Sequence, residues 1–176
     1  MKIIIFDVDE TLGAFYEFSL YCNRVLGNKQ LNQHTFNYLL NINPIYLQPN
    51  ILTVLEFIKQ NKGENKVVMF TNNQAPTSWI TFIKTYFHIK LKFPLFDHVI
   101  YANKYELYRT QEQKTLADFW ACTKYPSNSH ILFIDDQFHP LMVHPLVTYL
   151  KLDSYKTTVY VDISEYLINK IKTFLK

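Results

Sequence analysis

The chain has 176 residues, 48% of them hydrophobic and 19% charged, which is enough for one buried core but short for two independent domains. That balance excludes a disordered tail and a collagen-like repeat. A net charge of +3 with scattered Lys and Arg leaves no concentrated nucleic-acid footprint, only room for a weakly basic groove.

Lys2 to Phe6 is a short, β-branched apolar run that ends in acids, the pattern of a fully buried parallel strand. From Leu12 to about Gln48 the pattern is irregular, with short helices predicted around Phe18 to Val25 and His34 to Leu40. Pro49 is predicted to open an amphipathic helix, with Ile51, Leu52, Leu55 and Ile58 at helical spacing and Gly63 beyond its end. A second strand, Lys66 to Phe70, stops abruptly at Thr71-Asn72-Asn73, and Pro76 then starts a helix carrying Trp79, Ile80, Ile83 and Phe87. Asp97 to Tyr101 gives a third strand, and Gln111 to Cys122 a helix with Leu116, Phe119 and Trp120 on one face. His130 to Ile134 is a fourth strand that runs into Asp135-Asp136. Val147 to Leu150 and Thr158 to Val161 are candidates for further strand, and Ile163 to Leu175 reads as a closing helix.

Strands alternating with helices predict a three-layer α/β sandwich with a central parallel sheet. Residues 1–176 are expected to form one domain with a small flap or insertion at about 12–48. Cys22 and Cys122 lack the spacing of a disulfide framework or a zinc site, which suits a reducing compartment. No stretch approaches the ~20 apolar residues needed to span a bilayer, and the charged start is unlike a signal peptide. A soluble intracellular protein, cytoplasmic or nuclear, is expected.

In sheets of this kind the site lies at the carboxyl ends of the strands. Three predicted strands end in polar groups, namely Asp7/Asp9, Thr71/Asn72 and Asp135/Asp136. Asp7 and Asp9, two apart in extended chain, project to one side and can face one small substrate. Carboxylates this close repel each other and any phosphate unless a divalent cation or a lysine neutralises them. Asp135 and Asp136 supply further oxygens of the kind Mg²⁺ takes. His139 and His144, each before a proline, read as structural loop residues and not as ligands. Phe15, Tyr16 and Phe18 read equally as a substrate-facing flap or as core.

Phe6-Asp7-Val8-Asp9-Glu10-Thr11-Leu12 resembles the first motif of the haloacid-dehalogenase superfamily, Asp-x-Asp-x-Thr after an apolar strand. Thr71, after Val67 to Phe70, resembles its second motif, and Asp135-Asp136 its fourth, acidic one. The third motif is a lone lysine, which falls on Lys114 or Lys104; Lys114 is favoured because it leads into a helix before the fourth strand. Within the superfamily the opening looks most like the RNA-polymerase carboxyl-terminal-domain phosphatases, including the small NLI-interacting-factor type. Thr-Asn-Asn and Asp-Asp here replace the Thr-Ala-Ser and Asp-Asn usual in that branch, and 13–48 looks helical where the branch has a small hairpin.

The resemblance implies a Mg²⁺-dependent phosphomonoester hydrolase that works through an aspartyl-phosphate. Asp7 would be the nucleophile and Asp9 the general acid and base, with Thr71, Asn72 and Lys114 on the phosphate. Mg²⁺ would be held by Asp7, Asp9 through its backbone carbonyl, and Asp135 or Asp136. An open site without a large cap favours a phosphoserine or phosphothreonine protein substrate. Nucleotides or nucleic-acid ends are the alternative, and a non-catalytic module that binds a phosphorylated partner is a second.

Overall fold

Each apolar run that ends in a polar residue forms a strand, because its alternate side chains find a hydrophobic layer on either face of the sheet. The computed structural model describes residues 1–176. Its strands are β1 (Lys2–Phe6), β2 (Lys66–Phe70), β3 (His98–Ile100), β4 (His130–Asp135) and β5 (Val147–Lys151). Its helices are α1 (Phe15–Leu26), α2 (Gln33–Ile42), α3 (Ile51–Asn61), α4 (Thr77–Leu91), α5 (Leu116–Thr123) and α6 (Ser164–Leu175). The five strands form one all-parallel sheet in the order β3-β2-β1-β4-β5. The expected three-layer, Rossmann-like sandwich is therefore the fold.

The two outer layers are unequal. Ile4, Phe6, Val67, Met69, Leu132 and Ile134 face a core shared by α1, α2, α3, α4 and α6. Ile3, Ile5, Val68, Phe70, Ile131 and Phe133 face a smaller core closed mainly by Phe119 and Cys122 of α5. Crossovers through α3 and α4 build the sheet outward from β1 to β3, and the crossover through α5 then returns to lay β4 on β1's other side. The crevice between β1 and β4 is thus the topological switch point, where ligands of such sheets bind.

Residues 12–48 pack into the larger core. Phe18 meets Phe36 edge-on at 5.3 Å between ring centroids, and Phe36 meets Trp79 of α4 likewise at 5.3 Å. Phe15 and Phe18 are wholly buried, whereas Tyr16 is 62% exposed. Truncating a ring such as Phe36 to alanine would cost about 3–5 kcal/mol. The segment is entered through Gly13, where any Cβ would collide with the Tyr46 carbonyl that accepts from Ala14 N at 2.8 Å.

Several boundaries differ from expectation. The helix expected to open at Pro49 begins at Ile51, after Asn50 in a left-handed turn (φ 55°). α5 begins at Leu116 and not at Gln111, because the carbonyls of Glu112 and Gln113 accept from the Arg109 guanidinium and Thr115 caps the helix through Asp118 N. Val147–Lys151 is strand, but Thr158 to Val161 is not; its side chains are exposed and β5 is the sheet's edge. No helix is long and apolar enough to cross a membrane.

Candidate active site

Register brings the first acids together. In the β1–β4 ladder Phe6 lies beside Ile134, and Asp7 N extends it by donating to Ile134 O at 2.9 Å. One step further puts Asp7 beside Asp135. Side chains alternate along a strand, so both acids fall on the face of Ile5 and Phe133, the side covered by α5. Lys114 stands immediately before that helix, 1% exposed, with Nζ 5.8 Å from the ring centroids of both Phe70 and Phe133. Its ammonium bonds Asp7 Oδ1, and Asp135 Oδ2 at 2.7 Å. Of the two candidate lysines only Lys114 reaches the acids; Lys104 is exposed and donates to the Gln74 carbonyl.

Asp135 is fully engaged. Its Oδ1 accepts from Gln137 N at 2.7 Å, and its Oδ2 has His139 Nε2 at 3.4 Å besides Lys114. Asp136 is held by one oxygen, Oδ2, which accepts from Gln137 Nε2 at 2.7 Å and from Ser154 Oγ; its Oδ1 accepts from no protein group. Carboxylate oxygens of Asp7, Asp135 and Asp136 lie within 4.8 Å of one another. With all three carboxylates ionised, one ammonium would leave a formal charge of −2, a surplus that a metal ion can neutralise.

The same imbalance governs protonation. Burial pushes Asp7 well above the carboxylate range, with Asp135 and Asp9 adding to the rise and Lys114 opposing it. Burial also pushes at Asp135, but Lys114, His139 and Gln137 N together hold it below its ordinary value. Against the cost of burial, Asp7 and Asp135 keep Lys114 protonated with a raised pKa. A cation among the free oxygens would lower Asp7 and leave it ionised, so the residues fit a bound metal ion.

Asp9 turns away from the core that buries Val8, and its carboxylate is not one of the three. Its Oδ2 accepts from Asn73 Nδ2 at 2.7 Å, while its buried Oδ1 has no partner. Burial raises it to about 6, with the Asn73 bond a partial offset.

These groups line a cleft of about 230 Å³ with no hydrophobic residue in its wall: Asp7, Asp9, Asn72, Lys114, Asp135 and Asp136, with Glu10, Asn73, Gln137 and His139. A larger groove of about 540 Å³ between α3, α4 and α6 holds one carboxylate, Glu56, and no member of the acidic cluster. Thr71 lies a layer behind the cleft, wholly buried, with Oγ1 accepting from Asn73 N at 3.0 Å and its own hydrogen left to donate.

Asn73, Gln137, Ser154 and His139 are additions to the residues picked from sequence. Asn73 had a signal, as the second amide of the Thr71-Asn72-Asn73 turn after β2, whereas Ser154 reaches Asp136 across 18 residues and had none. His139 is a loop residue outside the acidic cluster, as read from the sequence, and what the structure adds is that its Nε2 lies 3.4 Å from Asp135 Oδ2. His144, whose Nδ1 accepts from Leu146 N at 3.2 Å, does stay in its own turn. No family model, curated protein or solved structure matches this chain.

Proposed function

We propose that the protein is a Mg²⁺-dependent phosphomonoester hydrolase of the haloacid-dehalogenase type that passes the phosphoryl group through Asp7. The observation that carries this reading is the convergence of Asp7, Lys114, Asp135 and Asp136 in a wholly polar cleft at the switch point, with Asp9 beside them. Phosphoryl transfer asks for positioning and charge stabilisation more than for covalent machinery, and the cleft offers both.

An oxygen of Asp7 attacks phosphorus as the bond to the leaving oxygen breaks, and Asp9 gives that oxygen its proton. The ionised Asp9 then takes a proton from water, whose oxygen attacks the aspartyl-phosphate and frees Asp7 and inorganic phosphate. With a pKa of about 6, Asp9 serves as acid and base in turn near neutral pH. Lys114 neutralises and Asn72 orients the transferring oxygens, with Thr71 holding the turn from behind the cleft. Mg²⁺ would be held by Asp7, Asp136 and the Asp9 backbone carbonyl, with Asp135 in support, and when bound it supplies charge neutralisation at the phosphoryl group. The unpartnered Oδ1 of Asp136 favours Asp136 over Asp135 as the direct ligand.

The wall has no apolar residue to grip a leaving group, which favours a substrate recognised outside the cleft, such as a phosphoserine or phosphothreonine protein. The test compares wild type with Asp7→Asn on an aryl phosphate, phosphopeptides and oligonucleotide phosphates, with and without Mg²⁺. Chelation and the substitution are each expected to abolish turnover, a loss of roughly 10³-fold or more. Equal activity in Asp7→Asn would remove the nucleophile, and activity confined to oligonucleotides would move the substrate class to nucleic-acid ends.

A further inference from the structure

Arg109 is 6% exposed and has no carboxylate in contact with its guanidinium. Its Nη1 donates to Thr71 O at 2.9 Å and Tyr101 O at 2.8 Å. Its Nη2 donates to Asn72 Oδ1 at 2.7 Å, Glu112 O at 2.9 Å and Gln113 O at 3.2 Å. The guanidinium carbon lies 4.9 Å from the Phe70 ring centroid, the ring that also faces the Lys114 ammonium. One planar fork therefore joins the turn after β2, the exit of β3 and the two residues that precede Lys114.

Two of those segments bring Asn72, Asn73 and Lys114 to the cleft wall. The side-chain bond to Asn72 orients the amide that enters the cleft wall, and the bonds to the 112 and 113 carbonyls stop the loop before Lys114 from joining α5. The loop is closed from its other side, where Thr110 N and Oγ1 both donate to Asp118 Oδ1, at 3.0 and 2.9 Å, and Asp118 N donates to Thr115 Oγ1. Arg109 itself is absent from the cleft wall, so it touches no substrate.

We infer that Arg109 is a positioning residue that sets Asn72 and Lys114 at a fixed separation for the oxygens of a phosphate monoester. This rests on the phosphohydrolase reading above. The four Nη hydrogens of a rigid fork serve five acceptors from three segments, one hydrogen being shared and Nε–H left without a partner, whereas a lysine supplies one point of charge with three donors and cannot span them.

The experiment measures kcat and KM on p-nitrophenyl phosphate, the dissociation constant of inorganic phosphate with Mg²⁺, and the melting temperature, for wild type, Arg109→Lys and Arg109→Gln. Folded variants are expected to weaken phosphate and raise KM on the order of tenfold or more, since small misplacements of positioning groups carry losses of that scale. A purely structural role would lower the melting temperature and leave KM and phosphate affinity of the folded protein within twofold, which would overturn the inference. If neither variant folds, the guanidinium protons of Arg109 in the wild type decide: they should shift and exchange more slowly when phosphate saturates the cleft, and indifference to phosphate overturns it. Wild type that binds phosphate without turning over any ester would sink the hydrolase reading alone, and the phosphate dissociation constants would still test Arg109. Wild type that neither binds nor hydrolyses sinks both.

Discussion

Lys62 and Lys114 are both buried lysines bonded to aspartates, at opposite ends of the same sheet. Lys62, at the end of α3, donates to Asp97 Oδ2 at 2.6 Å, and that oxygen also accepts from Val67 N at 2.8 Å. Lys66 adds a second ammonium 3.7 Å from Asp97 Oδ1. One carboxylate there is answered by two cations and a backbone amide, so the amino ends of β2 and β3 are tied with no anionic surplus. At the carboxyl ends the ratio reverses, and Lys114 alone faces Asp7 and Asp135 with Asp136 beside them. A buried ion pair is held by satisfied partners; a cluster left short of positive charge is suited to receive a cation and a phosphate.

The sharpest way to break this contrast is Lys114→Met. Loss of the ammonium should lower kcat/KM on an aryl phosphate about 10²–10³-fold, the range for removing one stabilising donor. In the absence of metal it should also cost about 3–5 kcal/mol in urea unfolding near neutral pH, because buried carboxylates lose their partner. Retained turnover would mean that Lys114 serves stability alone.

A smaller effect follows from Asp9. Its pKa is raised by burial to about 6, so the folded chain binds this proton more tightly than the unfolded chain, whose value is near 3.8. The stability it contributes is complete below 3.8 and is lost as pH rises through about 6. Protonation of an alkyl leaving group follows the same sign, so kcat/KM on a phosphoserine peptide should fall about tenfold per pH unit above roughly 6. A rate profile flat from pH 5 to 8, or one unchanged in Asp9→Asn, would remove Asp9 as the acid.

The least effect on turnover is expected at the other lysine. Lys62→Met should cost about 1–2 kcal/mol of stability, since Asp97 keeps partial exposure and Lys66, while kcat/KM stays within twofold. A tenfold loss of activity in the folded variant would show that the two ends of the sheet are coupled.

Local sequence was sufficient where burial covered both faces of a segment. Residues 3–6, 67–70 and 131–134 are unbroken apolar runs, and the polar residues that follow them mark the site's edge of the sheet. It was insufficient where a distant side chain replaced a local partner. Gln111 to Thr115 has helix-forming residues, yet Arg109 takes two carbonyls there and Lys114 reaches for acids more than 20 residues away. Thr158 to Val161 has strand composition but meets no neighbouring strand. The engagement of Ser154 likewise depends on how the loops after β4 and β5 meet.

From the sequence alone came the α/β alternation, the acids at the ends of β1 and β4 and the polar turn after β2, because hydrophobic period and strand-end chemistry are local properties. Only the tertiary structure decided that Lys114 and not Lys104 meets the acids, that Asp136 keeps a free oxygen while Asp135 does not, and that Arg109 joins three segments. Those are choices among long-range partners, set by strand order and register, which no stretch of the chain specifies by itself.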